Sequence, residues 1–229
     1  MKFLCLLLLG FAQAGDASRV ESVLAQAGER TYRMTQNGQK IGTFTMKTRV
    51  DKKTASFEDE MEIAAGPEKM KVVMKETAAL PTLNLLSASR TGKDMDWSVF
   101  VDDLKATMKV EGRRQKVEIT GSTVGEGGVL RLVCIAEQKV QATFQADVLS
   151  MTAERLEKEH IFRCVGQEVV DVGGKKMGAF KWEEKWEWKD MVNGVPTTSR
   201  VANSYWVSAE GVLLRSSALQ GLGMLIELK

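Results

Sequence analysis

Apolar and polar residues alternate with a period of two over most of this sequence, which predicts β-strands with one buried and one solvated face. The clearest runs are residues 43–50, 57–63, 69–75 and 105–111. In the second of these runs the apolar side chains share one face and three glutamates share the other. The pattern therefore predicts half-buried antiparallel strands.

Two Asn-Gly pairs each separate two strand-like runs, which is typical of tight β-hairpins. The first is Asn37-Gly38 and the second is Asn193-Gly194, which would join residues 178–190 to 196–208. Two final strands are expected at 211–219 and 222–228.

Helical spacing occurs in two places. Residues 18–28 begin with a capping box, Ser18-x-x-Glu21, and Gly28 is a typical helix end. Residues 143–159 carry five mostly apolar side chains at helical spacing, and Asp147 is a possible cap. These are Phe144, Val148, Leu149, Thr152 and Leu156.

The expected fold is mainly β (α+β), with about ten or eleven strands and two helices. No long linker or low-complexity tract divides the chain, so residues 15–229 are predicted to form one domain. The simplest arrangement is a long, curved antiparallel sheet with the helix over 143–159 lying on its concave face.

The first fourteen residues have the form of a secretory signal peptide. Lys2 precedes a short apolar run, and Ala12-Gln13-Ala14 provides a cleavage site before Gly15. The apolar run is shorter than the roughly 20 residues of a membrane span. The alternative is a buried N-terminal helix. Cleavage predicts an exported protein, periplasmic or extracellular, without a membrane span.

The composition of the chain limits the kinds of binding site that it can form. Lys and Arg number 32 against 30 Asp and Glu, so no basic surface for nucleic acid is indicated. The chain has one His and no HExxH motif, which excludes a two-His zinc site. No cofactor or metal is implied.

Cys134 and Cys164 are the two cysteines outside the predicted signal peptide. In an exported chain they could form a disulfide. The alternative is two buried free thiols, because each lies beside apolar residues. Their spacing excludes a catalytic CxxC pair.

Catalytic motifs are mostly absent. Two glycine-rich segments, residues 173–178 and 221–223, lack the context of phosphate-binding loops and are more simply turns. His160 ends the charged run Glu157-Lys158-Glu159 and is expected to be a solvated, dispensable side chain at a helix end. A hydrolase using His160 or acidic residues remains a weaker alternative.

Residues 180–189 alternate most regularly. The even positions share one face and would be ligand-binding residues if that face lines a cavity: Phe180, Trp182, Glu184, Trp186 and Trp188. The odd positions share the other face and alternate in charge: Lys181, Glu183, Lys185, Glu187 and Lys189.

The apolar face of this strand has two interpretations. It could be plain core, with Glu184 paired to an arginine such as Arg33 or Arg200. It could instead line a cavity, since an unpaired carboxylate is unfavourable on an apolar face away from water. Six methionines fall in strand-like runs, several of them on the inferred inner face, and they suit a ligand cavity or simple gap filling: Met34, Met46, Met61, Met70, Met74 and Met108.

An exported chain with a run of antiparallel strands, one late helix and then more strands resembles the periplasmic lipoprotein-carrier (LolA/LolB-like) superfamily. Its C-terminal half is also similar to uncharacterised exported domains of that shape. The segments that carry the resemblance are 166–172, 178–181 and 205–215, and the match covers roughly 161–219 by pattern. It implies a half-barrel that wraps a helix over an apolar cavity. It brings no catalytic signature, and the sequence lacks a lipobox.

The leading hypothesis is therefore an exported, non-enzymatic binding protein that holds an apolar or amphiphilic ligand, such as a lipid or acyl chain, in a half-barrel cavity. A structural or interaction module of the cell envelope with a filled core, which would bind an envelope protein partner, is the alternative.

Overall fold

The computed structural model describes residues 17–65, 68–92, 96–150, 153–192, 195–217 and 224–229. The predicted signal peptide, its cleavage site and the Asn193-Gly194 pair lie outside these residues. The side chains of Trp188 and Lys189 are also outside the described part. None of the helices in the described ranges is long and apolar enough to cross a membrane.

The described residues form two helices and fifteen strands in one sheet. They are α1 (Ala17–Ala27), β1 (Glu29–Gln36), β2 (Gln39–Asp51), β3 (Thr54–Ala65), β4 (Glu68–Ala79), β5 (Asn84–Gly92), β6 (Trp97–Asp102), β7 (Lys105–Val110), β8 (Arg113–Glu118), β9 (Thr123–Gly125), α2 (Glu126–Ile135), β10 (Thr143–Ser150), β11 (Arg155–Val172), β12 (Lys175–Val192), β13 (Val195–Val207), β14 (Leu213–Ser217) and β15 (Met224–Leu228). The mainly β class is confirmed, but the expected count of ten or eleven strands is wrong.

Neighbouring strands in the chain are mostly neighbours in the sheet. The order runs from β8 through β1 to β15, and then from β14 back to β9. All pairings are antiparallel except that of β9 with β10, which is parallel. The predicted hairpin at Asn37-Gly38 is confirmed, and both residues have the positive φ that a tight turn of this kind requires, 50° and 79°.

The sheet curls around α2. This helix contacts β3 and β4 on one side and β10 and β13 on the other, although these strands lie far apart in the sheet order. The ends of the sheet also approach other strands, since β9 contacts β5 and β8 contacts β11. A helix therefore does lie against the inner face, but it is formed by residues 126–135.

The predicted helix over 143–159 is wrong. Residues 143–150 and 155–172 are instead the paired strands β10 and β11. Leu149 and Leu156, which look like two turns of one helical face, are directly opposite each other across this pair. A hairpin can therefore imitate helical spacing over seven residues.

Two apolar cores fill the inside of the sheet. The larger one includes Leu24, Phe57, Val133, Trp182 and further side chains around α1 and α2. The second lies between β5, β6, β7 and β10, and its members are Leu85, Ala88, Trp97, Val99, Ala106, Met108, Ile119 and Leu149. Met34, Met46 and Met108 are buried in these cores.

Candidate functional site

Strand β12 directs its side chains as its alternation predicts. Trp182 and Glu184 are buried, and Lys185 and Glu187 are exposed. Lys181 and Glu183, which were expected to be exposed, are half-buried. Phe180 is partly buried and packs against the larger core. The strand assignment of residues 180–187 is therefore confirmed.

Trp182 belongs to the closed core. Its side chain has no exposed surface, and its ring lies 5.5 Å from that of Phe144. Its indole N–H donates to Oε1 of Gln138 at 3.0 Å, so its polar atom is satisfied. These contacts seal Trp182 away from any open cavity.

Glu184 accepts hydrogen bonds from three buried side chains. Nδ1 of His160 lies 2.6 Å from Oε1, Nδ2 of Asn203 lies 2.8 Å from Oε2, and the Tyr205 hydroxyl also donates to Oε2. The expected partners Arg33 and Arg200 are not among these contacts. Burial, together with the Glu184 charge, raises the pKa of Tyr205 well above its usual value, so this hydroxyl keeps its proton and remains a donor.

Two of these partners could have been found from sequence. In the pairing of β12 with β13, Asn203 lies opposite Glu184 and Tyr205 lies opposite Trp182. The hairpin that the sequence predicts at Asn193-Gly194 would give this same register. The signal in the sequence was a polar residue, Asn203, at the position that pairs with the inward-facing carboxylate of Glu184.

His160 is only 2% exposed, so the expectation of a solvated histidine is wrong. Its second ring nitrogen, Nε2, lies 3.6 Å from a carboxylate oxygen of Glu157. The ring stacks on Trp186 with centroids 4.5 Å apart. Burial lowers the pKa of His160, but the two carboxylates more than offset it, so the pKa is raised above its usual value.

A cleft of about 970 Å³ opens beside Trp186. The described ladder between β11 and β12 ends at the pair Ile161–Lys185, whereas β12 and β13 remain paired as far as Val192–Val195. The cleft therefore lies in the fork where β11 leaves β12. Its lining is Arg155, Leu156, Glu157, Lys158, Glu159, Ile161, Lys185, Trp186, Glu187, Arg200, Val201 and Ala202.

A second buried polar cluster holds α2 against the sheet. Arg131 donates to both carboxylate oxygens of Asp59, at 2.7 and 2.6 Å. Beside this pair, Oε2 of Glu76 accepts the backbone N–H of Gly128 at 3.1 Å, at the N-terminus of the helix. Burial raises the pKa of Glu76 to about 7. This cluster was not predicted, although three closely spaced glycines at 125–128 signalled a close approach.

Cys134 and Cys164 are both buried, free thiols, so of the two alternatives the disulfide is not formed in the structure. Burial raises the pKa of Cys134 to about 11 and also raises that of Cys164. Neither thiol is therefore activated as a nucleophile.

The glycine-rich segment at 173–178 includes the tight turn between β11 and β12. Gly173 and Gly174 both have positive φ, and the N–H of Gly174 donates to Asp171 at 2.8 Å. The turn interpretation is confirmed here. Residues 221–223 lie outside the described part.

The chemistry that the cluster can support follows from its contacts. Glu184 orients His160 as a carboxylate orients a catalytic base. The other imidazole nitrogen, however, faces Glu157 rather than a hydroxyl or thiol. In the part of the chain that the structure describes, no three His, Cys, Asp or Glu side chains are grouped to hold a metal ion.

Comparison with solved structures identifies a shared fold. The chain is similar to a β-barrel-like protein of domain of unknown function DUF1849 from Brucella abortus, with a TM-score of 0.54 and 12% identity over 88% of this chain and 95% of that chain. At this identity the likeness concerns the fold alone.

Two further structures are more distant. The hypothetical lipoprotein YmcC from Escherichia coli aligns with a TM-score of 0.38 and 15% identity, over 93% of this chain and 91% of that one. A protein of Bacteroides fragilis with a YmcC-like fold aligns with a TM-score of 0.32 and 9% identity, over 88% and 93% of the two chains. No family model matches the sequence, and no curated protein is similar to it.

Proposed function

We propose that this chain is an exported, non-enzymatic binding protein that holds an amphiphilic ligand, an acyl chain with a charged head group, in the cleft beside Trp186. The observation that carries the proposal is the composition of this cleft. Leu156, Ile161, Trp186 and Val201 give it an apolar lining within a charged rim. A cleft of about 970 Å³ is at the upper end of the usual range for ligand sites.

The rim suits a charged head group. Four cationic side chains line the cleft, namely Arg155, Lys158, Lys185 and Arg200, against the three carboxylates Glu157, Glu159 and Glu187. The indole N–H of Trp186 is buried and has no acceptor in the structure. It is available to donate to an oxygen of a ligand.

The proposed ligand site is the cleft at the fork between β11 and β12, and not the inside of the sheet. Trp182 and Phe180 pack in the closed core, and Glu184 is satisfied by its three neighbours. Of the predicted ligand-binding residues whose side chains the structure describes, Trp186 lines the cleft. It also rests on His160, so the polar cluster supports the wall of the cleft from behind.

The absence of catalysis is part of the proposal. Both nitrogens of the single histidine face carboxylates, and both cysteine thiols are buried with raised pKa values. None of these groups is directed at a partner that it would activate for attack on a substrate.

Export is the second part of the proposal and rests on the sequence of the first fourteen residues. N-terminal sequencing of protein recovered from the periplasm or medium should give Gly15 as the first residue. Recovery of the exported protein with Met1 in place would contradict the signal peptide.

Ligand binding is tested by native mass spectrometry of exported protein and by titration with cis-parinaric acid, a fluorescent fatty acid. We expect a co-purified amphiphile and saturable binding that Trp186→Ala weakens at least tenfold. Trp206→Ala is the matched control, because Trp206 lies on the other face of β13 and does not line the cleft. Equal affinity in both variants would contradict the site.

The filled core favours the second candidate, a structural or interaction module of the envelope. Trp182, Phe162 and Tyr205 are almost completely buried and occupy the inside of the sheet. This candidate predicts that no amphiphile co-purifies and that cis-parinaric acid does not bind.

A further inference from the structure

The hairpin of β5 and β6 places an arginine and a tryptophan directly opposite each other. Arg90 and Trp97 are register partners, so their side chains share one face of the sheet. Trp97 is a member of the second core and is only 7% exposed. Arg90 is half-buried beside it and therefore also points to the inner face.

Each of these side chains has a buried N–H without an acceptor. They are Nε of Arg90 and Nε1 of Trp97. Guanidinium and indole groups only donate hydrogen bonds, so neither donor can be satisfied by the other. Two adjacent unmade bonds on one inward face are unusual, since most buried donors in proteins have a partner.

Among the described residues, the carboxylates on the same row of the sheet and on the same hairpin are engaged elsewhere. Glu76, which lies opposite Ala88 on the adjacent strand, accepts the N–H of Gly128. Asp59 lies two strands away on that row, across Met74, and both its oxygens accept from Arg131. Asp96 precedes Trp97, is exposed and accepts the backbone N–H of Gly92. Arg90 thus provides a positive charge on the inner face without an ion-pair partner among the described residues.

We propose that Arg90 and Trp97 form a binding site for an oxyanion, the carboxylate or phosphate group of a small ligand. A guanidinium can donate two parallel hydrogen bonds to such a group, and the indole N–H can donate a third. Met74, Val99 and Val110 lie on the same inner face, so an apolar body attached to the oxyanion would find an apolar environment.

This site is distinct from the cleft beside Trp186, because neither Arg90 nor Trp97 lines that cleft. The two proposals therefore fail independently. Loss of binding in Trp186→Ala concerns the cleft, whereas the state of the Trp97 N–H reports on this site alone.

The test is titration of ¹⁵N-labelled protein with inorganic phosphate, octanoate and octyl phosphate, followed through the indole N–H signal of Trp97. Trp97→Phe assigns that signal and removes the donor while keeping an aromatic ring. We expect a saturable downfield shift, with affinity at least tenfold weaker in Arg90→Gln and in Trp97→Phe, measured for both variants by isothermal titration. Arg114→Gln, which removes an exposed arginine of β8, should bind like the wild type.

The three probes distinguish the sources of the oxyanion. Equal affinity for phosphate and octyl phosphate supports a free inorganic or highly polar ligand, whereas a preference for the octyl compounds supports an amphiphile. An unshifted Trp97 signal with all three probes overturns the proposal. Wild-type affinity in folded Trp97→Phe overturns it as well, so the result does not depend on how well Arg90→Gln folds.

Discussion

His160 and Glu184 form a buried pair in which Nδ1 of the imidazole lies 2.6 Å from Oε1 of the carboxylate. Both residues are only 2% exposed. They lie on the adjacent strands β11 and β12, with their side chains on the same inner face. A buried carboxylate is strongly unfavourable without such partners. The pair therefore stabilises the inner face at the point where β11 leaves β12.

Removal of the His160 imidazole should lower the free energy of unfolding. His160→Ala leaves the Glu184 carboxylate short of one donor and removes the ring that stacks on Trp186. Breaking a buried charged pair on one side commonly costs about 3–5 kcal/mol. We expect a loss in this range in the free energy of unfolding, measured by urea denaturation.

The control for this change is Glu187→Ala, which removes an exposed side chain of β12. It should alter stability by less than about 0.5 kcal/mol, as surface substitutions usually do. A cost below 1 kcal/mol for His160→Ala would restore the solvated role that the sequence suggested.

The pair should also make stability depend on pH. The pKa of His160 is raised in the folded protein, so its contribution is complete below the unfolded value of about 6.5 and is lost as pH rises through the folded pKa. Because the chain has a single His, its ring protons can be followed by NMR without ambiguity. The titration midpoint should lie above 6.5 and should fall in Glu157→Gln. A midpoint at or below 6.5 would contradict the geometry.

The burial of His160 could not be predicted from the pattern of charged residues around it. The charged run 157–159 predicts exposure, but the register of β10 and β11 shifts between Ala146 and Val148. Glu159 adopts a positive φ of 60° there, and its N–H donates to Asp147. Such an irregularity changes which side chains face inward, so one bulge turns the expected surface histidine into a buried one.

The strands could be predicted from the regular alternation of apolar and polar residues. The capping of helix α2 by a side chain from a distant strand could not. Residues 180–187 and the hairpin at Asn37-Gly38 follow local rules of period and turn chemistry. Helix α2 depends instead on Glu76, which lies 52 positions from the Gly128 N–H that it accepts. The sequence of α2 begins with two glycines after Glu126, a poor helix start on propensity alone.

The two inward tryptophans of β12 with described side chains should respond differently to truncation. Trp182→Ala removes a fully buried side chain and its bond to Gln138, so a loss of roughly 3–5 kcal/mol in the free energy of unfolding is expected. Trp186 borders the cleft and is only partly buried, so Trp186→Ala should cost distinctly less. Chemical denaturation of both variants measures the difference, and equal losses would count against an open cleft.

Glu76 should add a second pH dependence of the same sign. Its pKa is about 7 in the folded protein against 4.5 as the usual value, because burial disfavours its charge. Between these values the folded state binds more protons, so stability falls as pH rises, by up to about 1.4 kcal/mol per pH unit. Glu76→Gln should flatten this slope between pH 5 and 7, measured by urea denaturation. Glu62→Gln, at an exposed position of β3, should leave it unchanged.

The glycine at the start of α2 should not tolerate a side chain. A Cβ atom on Gly125 would lie 2.4 Å from Oε2 and 2.7 Å from the carboxyl carbon of Glu76, well inside van der Waals contact. Glu76 is buried between the sheet and the helix and cannot move away without giving up its bond to Gly128. Gly125→Ala should therefore lower the free energy of unfolding by roughly 1–3 kcal/mol, the usual range for overpacking.

Gly121→Ala is the matched control, because a Cβ there meets no atom within 4 Å. Thermal unfolding of the two variants decides the matter: a lowered Tm for Gly125→Ala beside an unchanged Tm for Gly121→Ala supports the buried cap, and equal Tm values would show that Glu76 does not hold α2 to the sheet.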